Sequence, residues 1–207
     1  MSQINDNVSV WRWILKSFVK KNSPKTFSLL REIFYIIFVP LPTSIAIEIN
    51  SFCNRKCRFC PNFNHTRDKI FLEEELFCKI IQDLKKMKFK GALTFNMFNE
   101  PILDKRLIKF IAYVKRKLPS IRIEINTNGY LLDLSLFYKL KKAGIDFMNI
   151  TQYDGKINEN IQRILDVLSP EEKKNFYAHT LDAICNRAGM VKVNSNVKLP
   201  LKRFLTH

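Results

Sequence analysis

The sequence predicts an α/β chain with a parallel sheet, preceded by an N-terminal helical arm. Three observations carry that reading. From Thr43 on, short runs rich in β-branched residues alternate with longer stretches of helical periodicity, the pattern of strand–helix–strand units joined by right-handed crossovers. Each short run gives way to polar or turn-forming residues at its carboxyl end. Ahead of Thr43 the periodicity is helical only.

The arm comes first. Val10, Trp11, Trp13, Ile14, Phe18 and Val19 space as one helix face over 8–21, broken by Asn22-Ser23-Pro24. A second helix is expected over 26–38, stopped by Pro40 and Pro42. These two helices define an arm over 1–42, ahead of a core over 43–207. The arm carries no candidate ligand. Its amphipathic pattern suits packing, with contact to a membrane surface as the alternative.

In the core, 44–50 alternates and reads as a strand. A helix over 72–88 places Leu76, Phe77, Ile80, Ile81, Leu84 and Met87 on one face, with Cys78 beside it as a small core residue. A strand at 92–97, a helix at 105–118, a strand at 121–126 and a helix at 132–143 closed by Gly144 follow. The stretch 147–152 is a fourth strand, and 158–168 a helix ended by Ser169-Pro170. A fifth strand at 176–181 competes with helix. In such sheets ligands gather at the carboxyl ends of the strands. Those ends carry, in order, a cysteine loop, Asn99-Glu100-Pro101, Thr127-Asn128-Gly129 and Gln152-Tyr153-Asp154-Gly155. Singly each is an ordinary turn signal; together they rim one site.

The 207 residues suffice for one domain with a core, and 46% apolar residues exclude disorder as the main state. No apolar run reaches the roughly 18 residues that span a bilayer. The formal charge of +16 comes mostly from lysines spread along the whole chain, which reads as a solvated surface. A polyanion such as RNA is the competing partner, but no RNA-binding module is recognisable, so nucleic acid is not expected. An odd cysteine count and the lack of a signal-peptide pattern speak against a disulfide framework and for a reducing, cytoplasmic compartment.

Cys53, Cys57 and Cys60 stand as C-x3-C-x2-C in one short loop. Three thiolates can hold three irons of a four-iron cluster and leave the fourth open, which marks a reactive rather than a structural metal site. The competing reading adds His65 to close a Cys3His zinc knuckle.

These residues resemble the radical S-adenosylmethionine (SAM) enzymes. The likeness rests on Cys53, Cys57 and Cys60 with Phe59 as the aromatic of C-x3-C-x-aromatic-C. It extends to Asn99-Glu100-Pro101 at the place of the family's Gly-Gly-Glu-Pro, and to Thr127-Asn128-Gly129 and Tyr153-Asp154-Gly155 at the family's intervals. Cys185-Asn186-Arg187-Ala188-Gly189 is similar to a segment of members with a cysteine-rich SPASM domain.

The resemblance implies a partial (βα) barrel and a [4Fe–4S] cluster on the three cysteines, with SAM chelating the open iron. Reductive cleavage of SAM would give a 5′-deoxyadenosyl radical for hydrogen abstraction. It also implies SAM contacts from Phe59 beside the adenine, from backbone at Phe98, Asn99, Glu100 and Pro101, from Asn128, and from Gln152 toward the ribose. A flavodoxin- or ferredoxin-like electron donor and a saccharide or peptide-like substrate follow by the same analogy. Asp154, Tyr177 and His179 have suitable chemistry, without an assigned role. Phe98 and Asn99 replace two glycines, so the turn is expected to rely on the tolerance of Asn for left-handed angles. The family has six βα units against four or five here, so a shortened chain with an exposed edge is expected, which a partner chain could cover. A degenerate, non-catalytic homologue or a zinc module remains the alternative.

Overall fold

The computed structural model describes residues 42–57, 60–63 and 67–181. The two arm helices, Phe59, His65 and the 185–189 segment lie outside them.

Five strands form one sheet: β1 Ser44–Ala46, β2 Ala92–Thr94, β3 Arg122–Thr127, β4 Phe147–Gln152 and β5 Phe176–Thr180. Every neighbouring pair is parallel, and the spatial order equals the chain order. No crossover reverses direction, as in a barrel wall and unlike a doubly wound sheet, where the order switches. The crossovers carry α1 Glu74–Lys86, α2 Leu107–Lys117, α3 Leu134–Ala143 and α4 Glu159–Val167, followed by a short α5 Pro170–Lys173. The expected partial (βα) architecture is the one observed.

Local chemistry sets the boundaries. Asp133 and Asn158 accept hydrogen bonds from Leu136 N and Ile161 N and so start α3 and α4. Ser169 and Glu172 form a capping box on α5, and Gly144 ends α3 at φ 108°. The fifth strand is settled by pairing: Phe176 to Thr180 run beside β4, with Phe176 edge-on to Phe137 at 5.3 Å. Strands β1 and β2 are shorter than expected: a side chain replaces the ladder after β2, and a backbone bridge to another segment replaces it after β1. Past Thr94, the backbone N–H of Asn126 donates to Asn96 Oδ1 at 3.0 Å, and Asn50 bridges to Phe71 instead of a sheet strand. On α1, Phe77, Ile81 and Leu84 form the buried stripe, whereas Leu76 and Met87 are exposed, contrary to the reading from periodicity. Leu76 lies just outside the i, i+4, i+7 stripe, and Met87 is already the C-cap.

One sheet face meets the helices. Leu93, Phe95, Ile123, Ile125, Met148 and Ile150 join Phe77, Ile81, Phe110, Ile111, Leu140, Ile161 and Ile164 in one core, with Phe77 stacked on Phe110 at 4.1 Å. Side chains alternate along a strand, so Thr94, Asn96, Glu124, Asn126, Asn149, Thr151, Tyr177 and His179 lie on the other face. No helix among the described residues is long and apolar enough to cross a membrane.

Gly91 admits no side chain: a Cβ there would stand 2.3 Å from the backbone oxygen of Thr43, the atom that accepts from Ala92 N. Gly91→Ala is expected to push β1 off β2 and lower stability by about 1–3 kcal/mol, read as a lower urea midpoint with an unchanged m-value.

Candidate active site

The carboxyl ends of β1 to β4 converge on the cysteine loop. Asn50 donates from Nδ2 to the Glu100 carbonyl at 3.1 Å, and Glu100 N donates to the Phe52 carbonyl at 2.9 Å. Both bonds pin the loop entry to the segment after β2. Beyond it, Cys60 N donates to the Cys57 carbonyl and Phe63 N to the Cys60 carbonyl, each at 2.9 Å. Cys53, Cys57 and Cys60 are unpaired, partly buried thiols. Burial, and next the Glu100 carboxylate and the other two cysteines, push Cys53 up; the Arg55 N–H on its sulfur opposes this. Burial likewise raises Cys57, against the Arg55 side chain, which hydrogen-bonds it.

Among the described residues no group of three or more Cys, His, Asp and Glu side chains is gathered closely enough to hold one metal ion. A cluster takes each thiolate on a different iron, so it does not require three sulfurs around one point. The donor set is chemically apt for it: three reduced thiols in one loop, with two amide side chains and a guanidinium around them.

Asn128 is the hub. Its N–H donates to Glu100 Oε2 at 2.9 Å, its Nδ2 to Asn54 Oδ1 at 2.7 Å and to Cys53 Sγ at 3.7 Å. Its Oδ1 accepts from Tyr130 N at 3.1 Å and its carbonyl from Gln152 Nε2 at 2.5 Å. Gln152 is buried, and its Oε1 takes the N–H of Asn158, the N-cap of α4. Its amide thus braces two backbones. Glu100 is buried as well, accepting from Ile102 N at 3.2 Å, Thr127 Oγ1 at 2.7 Å and Asn128 N at 2.9 Å. Desolvation raises its pKa in spite of these three bonds.

The segment from Phe98 to Pro101 departs from the expectation that it needs left-handed angles. Lys88 is the one non-glycine residue with positive φ among the described residues. The turn is built by side chains instead. Asn99 Oδ1 accepts from Met97 N at 3.0 Å and its Nδ2 donates to the Phe95 carbonyl at 3.2 Å. Phe98 N donates to Glu48 Oε1 at 2.7 Å, while Asn62 Nδ2 donates to the Phe98 carbonyl at 2.5 Å. Glu48 is itself held by Arg67 at 2.7 Å. No left-handed residue, and so no glycine, is required in this turn.

A clamp that sequence reasoning missed joins the loop to the far rim. Arg55, between Cys53 and Cys57, pairs with Asp154 at 3.1 Å. Its guanidinium lies 4.7 Å from the Tyr130 ring centre and 5.3 Å from that of Tyr153. Tyr130 also donates its hydroxyl to Asp154. Glu48, Asn50, Asn54, Asn62 and Arg67 were missed too. A charged residue inside the cysteine motif was the available signal for Arg55; the others had none, because their partners are distant in sequence.

This arrangement is that of a known class: the chain belongs to the radical SAM superfamily, whose family model matches residues 47–186. That family works with a [4Fe–4S] cluster and SAM. Among particular relatives, the chain is 29% identical to the S-adenosyl-L-methionine-dependent 2-deoxy-scyllo-inosamine dehydrogenase of Niallia circulans, over 71% of this chain and 60% of that protein. It is 29% identical to the PqqA peptide cyclase of Granulibacter bethesdensis, over 64% of this chain and 34% of that one. The crystal structure of BtrN in complex with AdoMet and 2-DOIA superposes with a TM-score of 0.68 at 28% identity, covering 74% of this chain and 63% of that one. The chain thus spans at most about three fifths of the length of these curated relatives.

Proposed function

We propose that this chain is a radical SAM enzyme in which Cys53, Cys57 and Cys60 hold a [4Fe–4S] cluster and the rim at Phe98, Asn99, Glu100, Pro101, Asn128 and Gln152 holds SAM. When bound, the cluster supplies one electron that cleaves SAM to methionine and a 5′-deoxyadenosyl radical, the species that takes a hydrogen atom from substrate. The observation that supports this best is the Asn128 hub. One residue ties the cysteine loop, the Glu100 segment and β4 together, so three separate motifs make one rim.

Each group has a definite task. A backbone carbonyl has two lone pairs, so the Phe98 and Asn99 carbonyls would take the SAM ammonium without displacing Asn62. An unpaired ammonium in a closed site is costly. Glu100 orients this segment through its three acceptor contacts. Gln152 sets the Asn128 carbonyl on the side where the ribose would lie, and Phe59 would pack on the adenine. The substrate is a saccharide-like or peptide-like molecule, as the dehydrogenase and the peptide cyclase among its relatives suggest. The +16 charge suits an acidic flavodoxin- or ferredoxin-like electron donor, and three reduced thiols suit the cytoplasm.

The test is anaerobic turnover with SAM and dithionite, following 5′-deoxyadenosine by chromatography. Its formation is the expected result. None from a sample carrying about four irons per chain would overturn the reading.

The Arg55 clamp gives a separate expectation. Its carboxylate partner is half-exposed, so Asp154→Ala should cost no more than about 1 kcal/mol of stability. Iron retention against a chelator should nonetheless fall about 10–100-fold, the usual effect of losing a group that orients a ligand loop.

A further inference from the structure

Two of the three loop cysteines meet hydrogen-bond donors. Cys53 Sγ accepts from Arg55 N at 3.4 Å and from Asn128 Nδ2 at 3.7 Å, and Cys57 accepts from the Arg55 side chain. Arg55 thus reaches both sulfurs, one through its backbone and one through its guanidinium. That cation is held from several sides. The two Asp154 carboxylate oxygens take it at 3.1 and 3.5 Å, and the Tyr130 and Tyr153 ring centres lie at 4.7 and 5.3 Å. The Arg55 side chain is 27% exposed against 52% for Asp154. The positive charge therefore sits inward, beside the sulfurs, and its counter-charge outward in solvent. Water and salt screen an exposed charge far more than one set in protein. As felt from the cysteine loop the pair is not neutral: the cation outweighs the carboxylate.

We infer that Arg55 sets the reduction potential of the cluster, raising it by its charge, with Asp154 as the opposing weight; this rests on the radical SAM reading above. Reduction brings one electron from the donor (dithionite in the test, oxidised to sulfite) onto a group held by three thiolates. No protein bond is made or broken, and no proton moves. Net charge, hydrogen bonds to the sulfurs and solvent exposure set such potentials. A fixed cation within hydrogen-bond reach of a ligand sulfur stabilises the reduced form more than the oxidised one and so raises the potential. A carboxylate at the same place lowers it. Arginine suits this task, because it stays charged at every working pH and stacks on aromatic rings. The two tyrosine rings hold the guanidinium whether or not Asp154 is charged, so removing that carboxylate leaves the cation in place.

The test is a potentiometric titration of the reconstituted full chain, without SAM, followed by the EPR signal of the reduced cluster. Arg55→Met should cut the ratio of reduced to oxidised cluster at a fixed potential about three- to tenfold. For one electron that is a fall of roughly 30–59 mV. Asp154→Asn should shift the ratio the opposite way, and Arg55→Lys, which keeps the charge, should stay nearer to wild type than Arg55→Met. A clamp that only braces the loop gives a different pattern, since both losses break the same pair and move the potential in one direction. Shifts of equal sign in Arg55→Met and Asp154→Asn would overturn the inference, as would the wild-type potential in both. Should either fail to load iron, the sign of the other decides. Wild-type SAM cleavage is scored in parallel. A chain that cleaves SAM without these shifts sinks this inference alone; one that shows them but never cleaves SAM sinks the parent reading. A chain that takes up no iron overturns both.

Discussion

Cys57→Ala is expected to emerge from anaerobic reconstitution nearly colourless, whereas the wild-type chain should turn brown with about four irons and four sulfides. SAM cleavage by the variant should fall to background, a loss beyond the roughly 10–100-fold typical of groups that merely support a ligand. The reason is geometric. Cys57 sits between the two other cysteines of the loop, within hydrogen-bond reach of the Arg55 side chain. With it gone, two thiolates remain for a group that needs three. Cys78→Ala is the control: Cys78 lies on α1, apart from the loop, and its loss should leave iron content unchanged. Iron and sulfide by colorimetry, with the spectrum of the reduced sample, read both results. A wild-type chain that comes out colourless and zinc-loaded would favour the closed knuckle with His65. Iron binding that survives Cys57→Ala would remove this loop from the cofactor altogether.

The parallel sheet was legible because strand and helix periods differ. Strand β4 was placed at 147–152, and Gly144 announced the end of α3, where φ reaches 108°. The cysteine loop and the three rim motifs were legible as local strings. What was not legible depends on distance along the chain. Arg55 and Asp154 are 99 positions apart and Asn128 and Asn54 are 74 apart, and neither member of either pair announces the other. The polar sheet face was hidden differently. Asn96, Asn126 and Asn149 alternate with apolar neighbours, which is what any half-solvated strand shows; only the sheet register aligns them. The turn at Phe98 and Asn99 was expected to be left-handed, because a glycine pair suggests such backbone. The fold instead uses the Asn99 and Glu48 side chains to hold an ordinary turn.

Glu100 should be the most sensitive single position outside the cysteines. In Glu100→Ala, Ile102 N, Thr127 Oγ1 and Asn128 N lose their acceptor together in a buried site. At about 1–3 kcal/mol for a stranded buried group, the sum approaches the whole stability of a domain, about 5–15 kcal/mol. Glu100→Gln keeps the shape and replaces one acceptor by a donor, so it is the variant to measure, with an expected loss of about 1–3 kcal/mol at neutral pH. Its pH dependence tests the electrostatics. Burial raises the Glu100 carboxyl above its ordinary range, so in the window between those two values the folded chain holds a proton that the unfolded chain has released. Stability from this group is therefore fully present below the ordinary carboxyl range and is lost as pH rises through the raised value. The neutral acid has a partner ready, since the Thr127 hydroxyl can accept as well as donate. Urea unfolding of wild type and Glu100→Gln across that window cancels the other titrating groups. The wild-type advantage should shrink as pH rises and then level off. An advantage that grows with pH would mean that the three hydrogen bonds outweigh burial and keep Glu100 ionised throughout.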